Sequence, residues 1–191
     1  MADVLFGDYN PAGRLPVTFY KSVADLPPFE EYAMAGRTYR YCTKEVLYPF
    51  GYGLSYTQFA YSRLTIRPDA TPATRDITVG VDVTNVGHLD GDEVAQLYVS
   101  AMHASVPKPI RHLEGFRRLR LKPGETKHIE FTLTPYQLSL IDAHDKRVVE
   151  RGEFRVSVGG GQMHVKSLAT PPTSNVVEGT LHITGDVVQV E

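Results

Sequence analysis

From Phe59 onward apolar and polar residues alternate with a period of two, and this alternation constrains the fold more than any other feature of the chain. Ile77, Val79, Val81 and Val83 share one parity, Thr78, Asp82 and Thr84 share the other, and Asn85-Val86-Gly87 closes the run. Successive side chains of a strand point to opposite faces, so the pattern predicts a half-buried strand. The same reading predicts strands over 61–66, 93–100 (Ala95, Leu97 and Val99 inward), 113–121, 126–134 (Ile129, Phe131 and Leu133 inward), 153–158 (Phe154, Val156 and Val158 inward) and 180–190. Turn signals at His88–Asp92, Lys122–Glu125 and Gly159–Gly161 separate them, and Ala169–Asn175 reads as a surface loop. Short strands at this spacing predict a mainly β chain built as an antiparallel β-sandwich. The chain has no tryptophan and a single cysteine, Cys42, which disfavours a true immunoglobulin domain and excludes an internal disulfide.

The stretch Leu47–Thr57 is of a different kind. It holds Tyr48, Phe50, Tyr52 and Tyr56 together with Pro49, Gly51 and Gly53, a mixture that helices and strands both accept poorly. It predicts an irregular connection packed by its own aromatics. Ahead of it the chain is broken by proline and glycine: Asn10-Pro11 and Ala12-Gly13 signal turns, Val17–Tyr20 can form one strand, and Asp25–Phe29 is stiffened by two prolines. So broken a segment cannot build its own core, so residues 1–58 are expected to dock on another surface.

Charge narrows the function classes. The 20 basic and 22 acidic residues are interspersed, with a formal net charge of −2. Neither a basic field for nucleic acid nor a patch for an anionic membrane is expected, and no apolar run is long enough to span a bilayer.

Three stretches carry a resemblance. Gly7-Asp8-Tyr9-Asn10-Pro11-Ala12-Gly13-Arg14-Leu15-Pro16-Val17-Thr18-Phe19, Ala35-Gly36-Arg37-Thr38-Tyr39-Arg40-Tyr41 and LYPFGYGLSYTQF, with Gly91–Val99 extending the match, resemble the C-terminal third of glycoside hydrolase family 3. That family includes β-glucosidases, β-xylosidases and related exo-acting enzymes. The resemblance implies a tail of an α/β sandwich domain over 1–20, an extended aromatic connection over 21–58, and a fibronectin type III-like β-sandwich over 59–191. It also implies a parent enzyme that releases β-linked glucose or xylose with retention and without a metal or organic cofactor. The parent's partners would be its upstream barrel and α/β sandwich domains, and a periplasmic or secreted location is suggested. The Gly36–Tyr41 motif leans toward β-xylosidase or a related pentosidase. An alternative is a stand-alone sandwich module that binds carbohydrate or protein, for which Tyr98 is the available surface aromatic.

Retaining hydrolysis needs one carboxylate to attack the anomeric carbon and a second carboxyl group to donate a proton. The resemblance puts the family's nucleophile in a barrel domain and its acid/base in the stretch before the Gly7–Phe19 motif, so no catalytic residue is assigned here. Asp8 reads as a turn residue, Glu30 and Glu31 as solvated, and Asp90–Glu93 as a hairpin turn rather than a calcium loop. The seven histidines lack ligand-like spacing, so no metal site is expected. Arg37, Tyr39, Arg40, Tyr41, Tyr48, Phe50 and Tyr52 offer the planar cations and aromatic faces that sugar sites and domain interfaces both use. They are candidates for a substrate rim or an inter-domain contact. Arg118, Arg120 and Lys122 alternate with Leu119 and Leu121, which predicts a cationic solvent face that discourages edge pairing.

Overall fold

The structure, a computed structural model, describes residues 2–190; Met1 and Glu191 lie outside the described residues. A short helix α1 (Ala2–Phe6) opens the chain, followed by β1 (Phe19–Tyr20), a single 3-10 turn at Val23–Asp25, helix α2 (Thr38–Tyr41) and β2 (Val46–Tyr48). The strands β3 (Phe59–Arg67), β4 (Ala70–Pro72), β5 (Ile77–Asn85), β6 (Gly91–Ala101), β7 (His112–Leu121) and β8 (Thr126–Leu133) come next. Helix α3 (Pro135–Leu138), β9 (Leu140–Ile141), β10 (Arg147–Val149), β11 (Gly152–Gly159), β12 (Val176–Thr184) and β13 (Val188–Gln189) complete it. Among the described residues no helix is long and apolar enough to cross a membrane.

Two sheets face each other. One has the order β3-β5-β8 and the other β4-β12-β11-β6-β7, antiparallel except where β12 pairs with β4. Their inner faces are the predicted ones: Ile77, Val79, Val81 and Val83 oppose Ala95, Leu97, Val156 and Val158, all at 0% exposure. Removing such side chains from water contributes about 1.5–3 kcal/mol each, which is why the alternation decides the architecture. The free edges are managed. Arg118 and Arg120 are exposed on β7, an edge strand, as expected from their parity. Beside β3, Asn175 imitates a neighbouring strand, its Oδ1 accepting from Tyr61 N at 2.7 Å and its Nδ2 donating to Tyr61 O at 3.0 Å.

Several boundaries differ from the sequence reading. The stretch predicted to be irregular from Leu47 begins as strand β2, because Val46–Tyr48 pairs with Phe19–Tyr20; the irregular part starts at Pro49. The run 180–190 is broken at Gly185, whose φ of 84° turns the chain, and the strand begins earlier, at Val176. Asp82 has the outward parity but its side chain is only 5% exposed, covered by Arg63 and by His128, whose Nδ1 lies 2.6 Å from Asp82 Oδ1. That bond with His128, followed by the Arg63 guanidinium, holds the Asp82 carboxyl below the usual carboxylate range.

Residues 1–58 do dock on another surface, and part of that surface is the sandwich itself. Glu93 carries the core parity of Ala95 and Leu97, and its side chain is 0% exposed. Its carboxylate is paired at 2.6 Å with Arg14 Nη2, from the segment before β1, and accepts a 2.9 Å hydrogen bond from Tyr61 Oη across the sandwich. Arg14 Nη1 donates to the carbonyls of Ala12 and Gly13 at 3.2 and 3.1 Å. Burial, with the adjacent Glu93 charge, pushes the Tyr61 phenol well above its ordinary value, so it remains a donor. Glycines make the room. A Cβ at Gly160 would stand 2.3 Å from Glu93 Oε1, and one at Gly53 would stand 2.2 Å from Gly13 O.

Asn10 adds a second fastening: its Nδ2 donates to Asp90 O at 3.0 Å while its Oδ1 accepts from Ser55 Oγ at 3.0 Å and Tyr56 N at 2.8 Å. Removing one member of a buried ion pair leaves the other charged and uncompensated, at a cost of about 3–5 kcal/mol. Arg14→Met is therefore expected to lower unfolding free energy in urea by that amount. Adding Glu93→Leu should recover most of it, and a single variant within about 0.5 kcal/mol of the parent would contradict the assignment.

Candidate functional site

The seven aromatic and cationic candidates do not converge on one point. Six of them separate into a packed interior group, an aromatic row and a local staple, and Tyr41 stands apart from all three.

The interior group lies between the connection and the outer face of β6. Phe50 stacks on Tyr39 with ring centroids 4.3 Å apart and planes 17° apart, and Tyr39 meets Tyr98 edge-on at 6.2 Å. Tyr39 Oη accepts from Leu113 N at 3.2 Å and from Arg40 Nε at 3.3 Å, and the Arg40 guanidinium lies 5.8 Å from the Tyr39 ring centre. Beneath them Gln96 is 3% exposed, and its Nε2 donates to the carbonyls of Gly51 and Gly160, each at 3.0 Å. Gln96 Oε1 accepts from Tyr98 Oη at 2.6 Å, and burial pushes the Tyr98 phenol upward. Gly51 is required twice over: its φ is +78°, and a Cβ there would lie 2.2 Å from Gln96 Oε1. Tyr98, read from the sequence as a surface aromatic, is 1% exposed, so it offers no face to a ligand. The outer face of β6 is covered by chain more than forty residues away in sequence, which strand parity alone does not register.

The aromatic row consists of Phe19 and Tyr48, both exposed, and the half-buried Tyr52. Tyr48 sits edge-on to Phe19 at 6.2 Å and tilted against Tyr52 at 5.5 Å, while Tyr52 Oη is 2.7 Å from Thr170 Oγ1. Arg37 belongs to neither group. Its guanidinium donates to the carbonyls of Ala33 and Pro28, each at 3.1 Å, and to that of Glu31, so it staples the Pro28–Ala33 loop instead of presenting a free cation. Tyr41 is half-buried beside the 103–109 loop, in a cleft of about 320 Å³.

Two carboxylates of the Asp90–Glu93 stretch are engaged in ion pairs at the surface. Asp92 pairs with Arg118 at 2.6 Å and Asp90 with Arg120 at 3.5 Å, on the wall of a cleft of about 410 Å³ that also holds Asp8. Among the described residues no group of three or more histidine, cysteine, aspartate or glutamate side chains is arranged to hold a metal ion. Two further clefts flank the Tyr39–Phe50 stack, of about 540 and 560 Å³, and neither is lined by an aspartate or glutamate.

Most of the molecule's exposed large apolar side chains lie within residues 1–58. Fourteen of the twenty-one among the described residues fall there, including Phe6 at 85%, Val23 at 84%, Phe29 at 92% and Tyr32 at 90% exposure. Large apolar side chains this exposed, gathered in one segment of the chain, are more than scattered surface residues.

Replacing Gln96 with leucine should leave the Gly51 and Gly160 carbonyls and the Tyr98 hydroxyl without their partner. The expected loss is at least about 2 kcal/mol, with faster tryptic cleavage after Lys44 as the connection loosens. Unchanged urea stability and cleavage rate would show that the glutamine does not hold the seam.

Comparison with known proteins accounts for this arrangement. Residues 1–56 match the glycosyl hydrolase family 3 C-terminal domain, and residues 93–162 match the fibronectin type III-like domain. A β-xylosidase of Formosa agariphila is 42% identical over 164 residues, covering 83% of this chain and 23% of the relative. A periplasmic β-glucosidase of Salmonella typhimurium is 38% identical over 178 residues, covering 87% and 23%. The solved structure of β-glucosidase 3B from Thermotoga neapolitana in complex with α-D-glucose superimposes with a TM-score of 0.83 at 32% identity, over 100% of this chain and 27% of that one. The chain thus spans about a quarter of the length of these relatives, which carry further domains beyond the matched part. With both domain types matched in order and the fold shared along its length, the chain belongs to glycoside hydrolase family 3 as a C-terminal region of the β-glucosidase and β-xylosidase type.

Proposed function

We propose that this chain is the supporting C-terminal part of a retaining exo-β-glycosidase acting on β-linked glucosides or xylosides, and that it does no bond cleavage by itself. The observation that carries the reading is that residues 1–58 are fastened to the sandwich through Arg14, Asn10 and Gly51 and yet leave Phe6, Val23, Phe29 and Tyr32 exposed to solvent. In this account those exposed apolar side chains receive the upstream barrel and α/β sandwich domains, and the sandwich fixes their orientation. The division follows as residues 1–20 completing the upstream α/β sandwich domain, 21–58 connecting, and 59–191 forming the fibronectin type III-like unit. The exposed Phe19 and Tyr48, with the half-buried Tyr52 beside them, form an aromatic row that borders a partner domain or a sugar in this reading. Tyr39 and Phe50 hold the connection in place.

Chemistry agrees with a supporting role. A retaining pair needs two carboxyl groups about 5–5.5 Å apart across a sugar-sized space, one of them kept protonated. The two clefts beside the Tyr39–Phe50 stack have no carboxylate in their walls, and Asp90 and Asp92 are each opposed by an arginine.

The test is hydrolysis of aryl β-glucoside and β-xyloside by the purified chain, alone and mixed with the barrel and α/β sandwich domains of a family 3 relative. No turnover alone and turnover on mixing is expected, and the preferred sugar then identifies the substrate class. Turnover by the chain alone, lost on substitution of a carboxylate such as Asp90 or Asp92, would contradict the supporting role.

A further inference from the structure

The cleft of about 540 Å³ between the connection and the sandwich has a one-sided charge. Its walls include Lys44, Lys108, Arg111, Arg155, His164 and Lys166, and no aspartate or glutamate. This is unlike the chain as a whole, where the net charge is −2 and cations and anions are mixed. Three of the six have a carboxylate nearby: Lys44 is 3.7 Å from Asp25, Arg155 is 3.7 Å from Glu178 and His164 is 3.6 Å from Glu178. Lys108, Arg111 and Lys166 have none within ion-pair distance among the described residues.

Arg111 is the informative one. It is half-buried, and its polar contact is a 2.8 Å bond from Nη1 to Gln162 Oε1, while Gln162 Nε2 donates to Phe50 O at 2.7 Å. The guanidinium is thereby held by a neutral side chain anchored to the aromatic seam. Lys108 is held in a similar way, by the carbonyl of Ala101. Burial lowers the proton affinity of both groups, as expected where cations are taken from water without a counter-charge. Cations positioned by neutral partners in a concave wall retain their charge for an anion that enters. The remaining wall suits a sugar: Tyr39 and Pro49 supply apolar surface, and Thr43, Ser100 and Ser157 supply hydroxyls.

We infer that this cleft binds an acidic oligosaccharide, with its carboxylate or sulfate received by Arg111, Lys108 and Lys166. The anionic part of this assignment rests on the cleft alone; the sugar part rests on membership of a glycan-processing family. A planar guanidinium favours a carboxylate by paired hydrogen bonds, so a uronic acid is the preferred form.

The test is calorimetric titration of the chain with xylotriose bearing a glucuronic acid branch, neutral xylotriose, a sulfated disaccharide and an octapeptide of glutamate. Binding needs no turnover, so the outcome is separable from the hydrolysis experiment. The branched sugar should bind at least about ten-fold more tightly than neutral xylotriose and weaken as salt rises. Arg111→Met and the exposed Lys166→Ala should each lower its affinity several-fold, while Arg120→Met on β7 leaves it unchanged. A sulfated disaccharide binding more tightly than the uronate would keep the site and reassign the anion. Equal binding of branched and neutral sugars, no binding of the branched sugar at about 10 mM, or tighter binding of the glutamate octapeptide would overturn the proposal. The last of these would mark the cleft as a contact for an acidic protein segment.

Discussion

A single buried ion pair joins the two unlike halves of this molecule. Arg14 belongs to a segment with no core of its own, and Glu93 lies at the core face of a central strand. Each is poorly tolerated without the other, since a carboxylate at 0% exposure would otherwise pay the full cost of leaving water. The pair therefore acts less as a source of net stability than as a condition on the fold: the sandwich is satisfied only when the segment before β1 is in place. Tyr61 extends that condition to the opposite sheet through its bond to Glu93, and Gly160 and Gly53 keep the necessary space clear.

The aromatic seam applies the same logic to the outer face of β6. Gln96 offers two amide hydrogens and one carbonyl, and all three functions are used, two toward the carbonyls of Gly51 and Gly160 and one toward Tyr98. Stacking of Tyr39 on Phe50 then covers this polar knot with apolar surface. The consequence for function is mechanical. Residues 1–58, fastened at Arg14, Asn10, Gly51 and Phe50, hold their exposed apolar side chains in place relative to the sandwich, which is what an inter-domain buttress requires. The cationic cleft is a product of the same fastening, since Gln162 bonds both the seam and Arg111.

The inner faces of the sandwich were legible because strand parity and burial coincide there, as in Ile77 to Val83 and Phe154 to Val158. The outer faces were not, because what covers Tyr98, Gln96 and Asp82 comes from remote chain or from a neighbouring strand. Glu93 did carry a readable signal. A glutamate in phase with Ala95, Leu97 and Val99 is a charge aimed at the core, and the reading of Asp90–Glu93 as a turn passed over it. Gly159 and Gly160 were read as turn residues, whereas they are glycine because Val176, Ser174 and Glu93 approach their backbone. Arg37 and Tyr39 read from the sequence as candidates for a substrate rim or a domain interface, but the distinction between a staple, a packed interface and an exposed rim depends on contacts that no local pattern encodes.

The claim that the segment and the sandwich form one cooperative unit is tested most directly by native-state hydrogen exchange. The amides of Leu15, Val46 and Gly51 are bonded to Tyr52 O, Lys166 O and Leu15 O at 2.9, 3.0 and 2.7 Å. The account predicts that they are protected to nearly the same free energy as Val81 and Leu97 in the two sheets, and that all five respond alike to Arg14→Met. If Leu15, Val46 and Gly51 instead open several kcal/mol below the sheets and ignore the substitution, the two halves are independent and the ion pair does not join them.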